Sequence, residues 1–190
     1  MPKGKKTARK SARRSPGAAR RSASQDAIAL LKADHREVED LFEQFESARS
    51  GSRKEDLAQK ICQALKVHTQ IEAEIFYPAF LEATEEEDIH HEAEVEHDGA
   101  KKLIAEIEAS GPEDEYFHAR VTVLSEMIKH HVNEEEQRDG MFAKARQSRM
   151  DLAELGERLA ARKAELMSGG ASSRVRAGRR SEGMTAQRTP

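Results

Sequence analysis

The sequence predicts an all-α chain: an up-down-up-down four-helix bundle with a short C-terminal fifth helix and disordered basic tails. Aromatic residues make up 4% of the 190 residues and Trp is absent, so the residue types that favour strands are scarce. Four long stretches repeat apolar residues every three or four positions, which is the period of a helix with one buried face. Short turn signals separate these stretches, and short connections make consecutive helices antiparallel neighbours.

Caps and breakers place the ends of the bundle helices. Ser24 or Asp26 can cap the first helix, and Gly51 marks the turn after it. The acidic residues 83–88 form the second connection, and the Gly and Pro at 111–112 stop the third helix. The four predicted helices span about 26–49, 54–81, 89–109 and 113–146.

The second helix contains a breaker, Pro78, near its end, where it can kink the last turn. After the bundle, Leu residues recur at helical spacing over 147–167 and predict a fifth, shorter helix packed on the outside. The predicted domain organisation is therefore a disordered basic arm over 1–25, a bundle over 26–146, this helix, and a disordered tail over 168–190.

Charge is distributed unevenly along the chain. Residues 1–25 hold nine Lys and Arg and no acidic residue, and residues 168–190 hold five Arg against one Glu. The whole chain carries −3, so residues 26–167 carry −16. We interpret the N-terminal arm as a solvated tail, with weak contact to nucleic-acid phosphates as the alternative. No aromatic residues are interleaved with the basic ones, so base stacking is not supported.

Two features bear on the compartment. Cys62 is the only cysteine, so no disulfide forms within the chain, and we interpret it as a small residue beside the core. No apolar run approaches the roughly 18–20 residues needed to cross a bilayer, and the N-terminus has no secretory apolar region. We therefore expect a cytoplasmic protein without membrane contact.

Polar residues interrupt the apolar seam of the second helix between His68 and Pro78. His68 and Glu72 stand four residues apart, on the face that also carries Leu65 and Ile75. Burying either group without a partner costs roughly 2–7 kcal/mol, and more if it is charged. Something has to satisfy both groups, and the other helices suggest a metal.

Each of the other three helices also has a histidine on its seam, and the fourth adds a glutamate. His35 lies 16 residues before Gly51 and His68 lies 17 after it, so an antiparallel pair of helices places them at the same depth. At the second turn Glu72 lies 13 residues before Glu85 and His97 lies 12 after it. His131 lies 20 residues after Gly111, and we expect the loop over 112–115 to take up several of these. The predicted layer consists of His35, His68, Glu72, His97, His131 and Glu135.

Imidazole and carboxylate together favour iron, manganese or zinc, and carboxylates can bridge two cations. Six side chains cannot fill two octahedra, so open positions remain for water or a small ligand such as O₂. The other histidines, His90, His91, His118 and His130, are interpreted as lying outside the site. Glu39, four residues after His35, is a candidate partner for its second ring nitrogen, with a solvated Glu as the alternative.

Four short motifs carry a resemblance to a known family. They are D-H-R-E at 34–37, H-T-Q-I-E leading into I-F-Y-P at 68–78, E-H-D at 96–98, and H-V-N-E-E-E at 131–136. Together they resemble the hemerythrin-like, or HHE cation-binding, domain over about 26–146. The resemblance implies a non-haem di-iron site of the Fe–O–Fe type, bridged by two carboxylates, in a four-helix bundle with oxygen-related roles. It assigns the ligands to the six residues named above, with manganese or zinc less favoured than two iron ions.

Two departures from the oxygen-carrying members are visible. Those proteins have a fifth histidine from an H-x-x-x-H pair on the third helix, but here Ala93 and Lys101 stand four residues either side of His97. They also take their last carboxylate five residues after the final histidine, which would be Glu136. On a straight helix Glu135 is closer in angle to His131, so we prefer Glu135, and a bulge in the fourth helix would reverse the choice.

Three functions remain open from the sequence. The first is a di-iron protein that binds or senses O₂, iron or a related small oxidant, similar to the iron- and oxygen-responsive family members. The second is a di-iron enzyme that consumes peroxide or nitric oxide. The third is a structural metal-containing bundle whose basic tails interact with nucleic acid.

Overall fold

The computed structural model describes the backbone of residues 25–182 and the side chains of residues 25–169. Residues 1–24 of the predicted basic arm and the end of the predicted tail, from 183 onward, lie outside the described residues. The prediction that these segments are disordered therefore stays a prediction.

All regular secondary structure in the described residues is helical, which confirms the predicted class. Helix α1 packs along α2, α2 along α4, α4 along α5, and α5 back against α1, so the four form an up-down-up-down bundle. None of the described helices is long and apolar enough to cross a membrane. The helical segments are α1 Ala27–Ser47, α2 Gly51–Ile71, a π-helical turn Glu72–Phe76, α3 Tyr77–Thr84, α4 Glu87–Ala109, α5 Phe117–Glu136, α6 Met141–Gln147 and α7 Leu152–Glu182.

Side chains fix the beginnings of the first two helices. The Asp26 carboxylate accepts a hydrogen bond from the Ala29 N–H over 2.8 Å, so Asp26, one of the two predicted caps, begins α1. The Ser50 hydroxyl oxygen accepts from the Arg53 N–H in the same way at the start of α2. Only residues 48–50 separate α1 from α2, and this tight turn fixes the relative depth of the histidines on the two helices.

The second bundle helix is continuous through Pro78, because α2, the π turn and α3 follow one another without a break. In the π turn the Tyr77 N–H bonds to the Glu72 carbonyl five residues back. Pro78 has no N–H and its ring crowds the preceding turn, which a widened π turn accommodates. The predicted kink in the last turn is thus replaced by a wider turn placed before the proline.

The predicted fourth helix over 113–146 is wrong in extent. It begins at Phe117, and it is interrupted between Glu136 and Met141. The backbone at Gly140 lies so close to α5 that a Cβ atom there would be 2.1 Å from the Glu134 carbonyl oxygen. The turn redirects the chain so that α6 buries Phe142 beside the bundle, its ring stacked on His35 at 5.7 Å between centroids.

Two apolar clusters occupy the two ends of the bundle. One includes Val38, Phe42, Leu57, Ile61, Leu65, Ile104 and Leu124. The other includes Ile28, Leu31, Ile71, Phe76, Phe80, Phe142 and Leu159. In α1 the clusters are separated at His35, and in α2 they meet near His68. The core therefore excludes water from both sides of the layer that carries the histidines.

Cys62 belongs to the first of these clusters and is 1% exposed. Burial raises the pKa of its thiol to about 12, and the nearby Glu108 carboxylate adds to the effect. The interpretation of Cys62 as a small core residue is confirmed.

Helix α7 packs on α1, α2 and the π turn. It buries Leu155 and Leu159 in the second cluster, as expected for an outer helix. Its backbone continues to Glu182, beyond the predicted end at 167. The glycines at 169–170 suggested that end, but the Ala and Arg residues after them favour helix.

We predict that Gly156→Ala destabilises the protein. A Cβ at Gly156 would lie 2.3 Å from the Gln25 carbonyl oxygen and 2.9 Å from the Ala27 nitrogen, and backbone atoms cannot swing aside. Overpacking of this kind costs about 1–3 kcal/mol, seen as a lower Tm in thermal denaturation. Gly111→Ala is the control, because its Cβ would meet nothing within 4 Å. Equal Tm values for the two variants would contradict the close docking of α7 on α1.

Candidate metal centre

The structure brings the four seam histidines together in two pairs. The Nε2 atoms of His35 and His68 lie 3.2 Å apart, and those of His97 and His131 lie 3.3 Å apart. All four residues are between 2% and 5% exposed. Adjacent nitrogen donors bound at about 2.1 Å to a common cation lie roughly 3 Å apart, so each pair has the spacing of two ligands of one ion.

Both predicted carboxylates lie between the two histidine pairs. Glu72 Oε2 is 3.1 Å from His68 Nε2 and 3.4 Å from His97 Nε2. Glu135 Oε2 is 3.3 Å from His35 Nε2 and 3.8 Å from His131 Nε2. Each carboxylate therefore contacts one histidine of each pair. This is the placement required of a carboxylate that bridges two cations.

Three oxygens of these carboxylates have no hydrogen-bond donor among the described residues. They are both oxygens of Glu72, which is 0% exposed, and Oε2 of Glu135, which is 2% exposed. Buried ionised groups left without partners cost several kcal/mol each, and two neighbouring carboxylates also repel one another. Cations between the histidine pairs would satisfy both requirements, so the residues present fit a metal site.

The pKa values reflect this electrostatic conflict. Burial raises the pKa of Glu72, and the neighbouring Glu135 raises it further. Burial also acts to raise the pKa of Glu135, but the adjacent His35 and the other surrounding imidazoles outweigh it and lower the pKa. The two carboxylates of the layer thus differ in their preference for a proton, although they occupy equivalent positions between the histidine pairs.

The two histidines of the second pair also differ in pKa. Burial lowers the pKa of His97 to about 3, and the adjacent His131 contributes to the shift. For His131 burial acts in the same direction, but the hydrogen bond to Glu96 and the nearby carboxylates raise the pKa to about 9. One imidazole of this pair therefore favours the neutral, metal-binding form, whereas the other competes for a proton.

Carboxylates outside the layer face the second ring nitrogens of three histidines. His35 Nδ1 is 2.8 Å from Glu136 Oε1, and His131 Nδ1 is 2.7 Å from Glu96 Oε2. His68 Nδ1 faces Asp34 Oδ2 at 3.6 Å, beyond hydrogen-bond distance. Such partners hold the Nδ1 proton, so that the Nε2 lone pairs point into the layer.

Glu136 therefore occupies the place that the sequence suggested for Glu39. Glu39 instead pairs with Arg36 at 3.1 Å near the surface, so the proposed contact between Glu39 and His35 is wrong. Four residues along α1 reaches the next turn of the same helix, whereas Glu136 approaches His35 from α5. Glu136 also contacts Lys32 and Arg36, which balance its charge.

Comparison with known proteins agrees with the geometry. The hemerythrin HHE cation binding domain matches residues 26–144, which is most of the described bundle. The chain belongs to the hemerythrin HHE family. Membership implies cation binding, and the paired histidines and shared carboxylates are the residues positioned for it.

A crystal structure of another hemerythrin HHE cation binding domain-containing protein has the same fold. That protein, from Mycobacterium kansasii and described as a homolog of Rv2633c, is 24% identical in sequence. The match covers 80% of this chain and 93% of that chain, with a TM-score of 0.67. No protein with a curated description matches the chain.

Tyr77 is a member of the site that sequence reasoning missed. Its hydroxyl lies 3.1 Å from His97 Nε2 and donates to Glu135 Oε1 over 3.3 Å, and the residue is 1% exposed. On a straight α-helix Tyr77 would be about 140° from Glu72. The π turn brings the fifth residue, rather than the fourth, above Glu72 and so turns Tyr77 into this HHE site. The only signal in the sequence that points to this turn is Pro78, whose ring crowds the preceding turn of a regular helix.

The remaining histidines lie outside the layer, as predicted. His91, His118 and His130 are exposed, and His90 is half-buried with its ring against the edge of Tyr77. His130 forms a surface group with Glu134 at 3.1 Å and Glu96 at 3.5 Å. An exposed group of this composition is adequately explained by ordinary ion pairing.

We predict that His68→Ala lowers the metal content of the protein, because it removes a buried nitrogen donor from one pair. His118→Ala is the matched control, since its imidazole is half exposed and lies outside the layer, where it pairs with Glu46 and Thr122. Metal per chain is measured by elemental analysis after saturation with Fe(II) and removal of free metal. Equal metal content in the two variants would contradict the assignment of the layer as the metal centre.

Proposed function

We propose that this HHE protein binds two iron ions in the layer and uses the centre to bind or sense O₂, iron or a related small oxidant. The observation that carries the proposal is the pair of buried carboxylates, each of which lies within 4 Å of one histidine from each pair. The chemistry that iron supplies when bound is reversible one-electron redox change together with open coordination positions for a small ligand. The protein supplies the donors and excludes bulk water.

The proposed ligands are assigned by the contacts. His35 and His68 would hold one ion and His97 and His131 the other, and Glu72 and Glu135 would be shared between the two. Glu135 is preferred to Glu136 because Glu136 lies on the outer side of His35 and is already held by Lys32 and Arg36. The π turn lies in the second bundle helix rather than the fourth, so the angular argument for Glu135 stands.

The space beside the histidines supports a very small ligand. A cavity of about 10 Å³ is lined by the four histidines, by Asp34 and Thr69, and by the apolar side chains of Val38, Leu65, Ile128 and Val132. A volume of this order holds about one water-sized molecule, and four apolar side chains form one part of its wall. This space suits a diatomic molecule.

The environment of His97 favours sensing over oxygen carriage. Ala93 stands where a carrier would have a further histidine, and the Tyr77 hydroxyl lies against His97 instead. Burial and the nearby carboxylates raise the pKa of Tyr77 well above its usual value, so the phenol keeps its proton and acts as a hydrogen-bond donor. With one nitrogen donor fewer, we expect one iron to be more open to ligands.

The alternative is a di-iron enzyme that consumes peroxide or nitric oxide. Tyr77 favours this reading, because a buried hydroxyl beside the centre can hold or supply a proton to a bound oxidant. The third alternative, a structural metal site with basic tails that contact nucleic acid, depends on residues outside those described and receives no support. We place the protein in the cytoplasm because its single thiol is free and suits a reducing compartment.

The proposal predicts uptake of about two irons per chain when Fe(II) is added to metal-free protein under anaerobic conditions. Admitting air should then produce near-ultraviolet absorption that is absent without iron. Absence of both results would overturn the proposal.

The enzyme alternative is decided on the same preparation. Peroxide or nitric oxide should be consumed in amounts comparable to the iron present if the protein is a binder or sensor. Consumption over many turnovers, measured with a peroxide or nitric oxide electrode against metal-free protein, would establish the enzyme instead.

A further inference from the structure

The Asp34 carboxylate lies between helix α7 and the metal layer. Lys163 of α7 places its Nζ 2.6 Å from Asp34 Oδ1, and Asp34 Oδ2 faces His68 Nδ1 at 3.6 Å. Asp34 is 6% exposed, so this ion pair is largely shielded from solvent on the Asp34 side. Helix α7, which lies outside the four-helix bundle, is thus connected to the proposed iron ligand His68 through the single carboxylate of Asp34.

This contact differs from the other two outer contacts. His35 and His131 have their carboxylates at 2.8 and 2.7 Å, which are ordinary hydrogen-bond distances. By contrast, Asp34 Oδ2 and His68 Nδ1 are both buried and have no hydrogen-bond partner among the described residues. Two buried polar atoms that face each other just beyond hydrogen-bond distance form a contact that a small movement of Asp34 would complete.

The position of Lys163 is set by the packing of α7. Leu155 and Leu159 anchor the helix in the core, and Arg162 pairs with Glu74 in the π turn at 2.7 and 3.1 Å. Lys163 also approaches the exposed Glu37 at 3.7 Å, a weaker contact than the one to Asp34. A cavity of about 230 Å³, lined in part by Asp34, Lys163 and Met167, leaves these side chains room to shift.

We propose that Lys163 is a positioning residue for the metal centre, because it orients Asp34 toward His68. Docking of α7 is thereby coupled to metal binding at the His35–His68 pair. The inference rests on the proposed function, since it takes His68 as a ligand. A bound cation makes the His68 Nδ1–H a stronger donor, and an ionised, correctly oriented Asp34 accepts it. Because coupling is reciprocal, metal in turn stabilises the docked position of α7. The family match ends at residue 144, so it does not include Lys163.

The chain provides a matched control for the binding test. Lys163→Ala and Arg162→Ala each remove an ion pair between α7 and the bundle. Only the partner of Lys163, Asp34, faces a histidine of the layer. Fe(II) affinity of the full chain is measured anaerobically by competition with a chelator. We expect Lys163→Ala to weaken the Fe(II) affinity of one of the two sites about 10-fold or more. Arg162→Ala should change the Fe(II) affinity by less than about twofold. Lys163→Arg should retain most of the wild-type affinity. Equal effects of the two alanine variants would overturn the proposal.

A double-mutant comparison tests whether Lys163 acts through Asp34. Asp34→Asn should weaken the same site, and adding Lys163→Ala to it should cause little further loss, because both changes interrupt one connection. Multiplicative losses would show that Lys163 acts by another route and would overturn the proposal. Circular dichroism of each variant checks that the helical content is unchanged.

A measurement without metal separates this inference from the proposed function. In ¹⁵N spectra of the metal-free full chain, Lys163→Ala should shift the His68 Nδ1 resonance, whereas Arg162→Ala should leave it in place. An unchanged His68 resonance overturns the inference even if the wild type binds two irons. If the wild type binds no iron but the His68 resonance shifts, the proposed function fails, the coupling to metal fails with it, and only the Lys163–Asp34–His68 contact survives.

Discussion

Two buried carboxylates determine the rest of this structure. Glu72 and Glu135 lie in one layer of the core, nearly without exposure, and three of their four oxygens receive no hydrogen bond from the described residues. Carboxylates in such a place are unstable unless positive charge reaches them. The four histidines, one from each bundle helix, are placed to hold cations beside them. The apolar clusters on both sides of the layer keep water from weakening the interaction.

The charges alternate outward from this centre. Acidic side chains surround the histidines, with Glu136 on His35, Glu96 on His131, and Asp34 facing His68. Basic side chains pair with two of these acids on the side away from the layer. Lys32 and Arg36 of α1 contact Glu136, and Lys163 of α7 contacts Asp34. The net acidity of the bundle is therefore partly organised around one site rather than distributed evenly over its surface.

Much of this arrangement could be predicted from the sequence, because helical periodicity and helix length are local properties. The seams placed His35, His68, His97 and His131 on inward faces, and counting residues from each turn placed them at one depth. Glu135 was preferred to Glu136 by its angle from His131, and the structure has Glu135 in the layer and Glu136 outside it. The family motifs rested on the same residues.

The features that sequence reasoning missed depend on contacts between distant residues. Tyr77 enters the site through a π turn, and a helix can widen there only if the surrounding packing accepts it. The break before Met141 required the close approach of Gly140 to α5. Lys163 is 129 residues from Asp34, and a single ion pair at that separation leaves no periodic trace in the sequence. The contact between His35 and Glu136 was likewise missed in favour of Glu39, because it joins residues 101 positions apart in the sequence.

The most direct test of this account is anomalous scattering at the iron edge from crystals of the iron-loaded full chain. The account predicts two peaks in the layer, one beside each histidine pair, with each ion at about 2.0–2.2 Å from oxygens of both Glu72 and Glu135. Peaks only at the surface group of Glu96, His130 and Glu134, or a layer without iron, would contradict it.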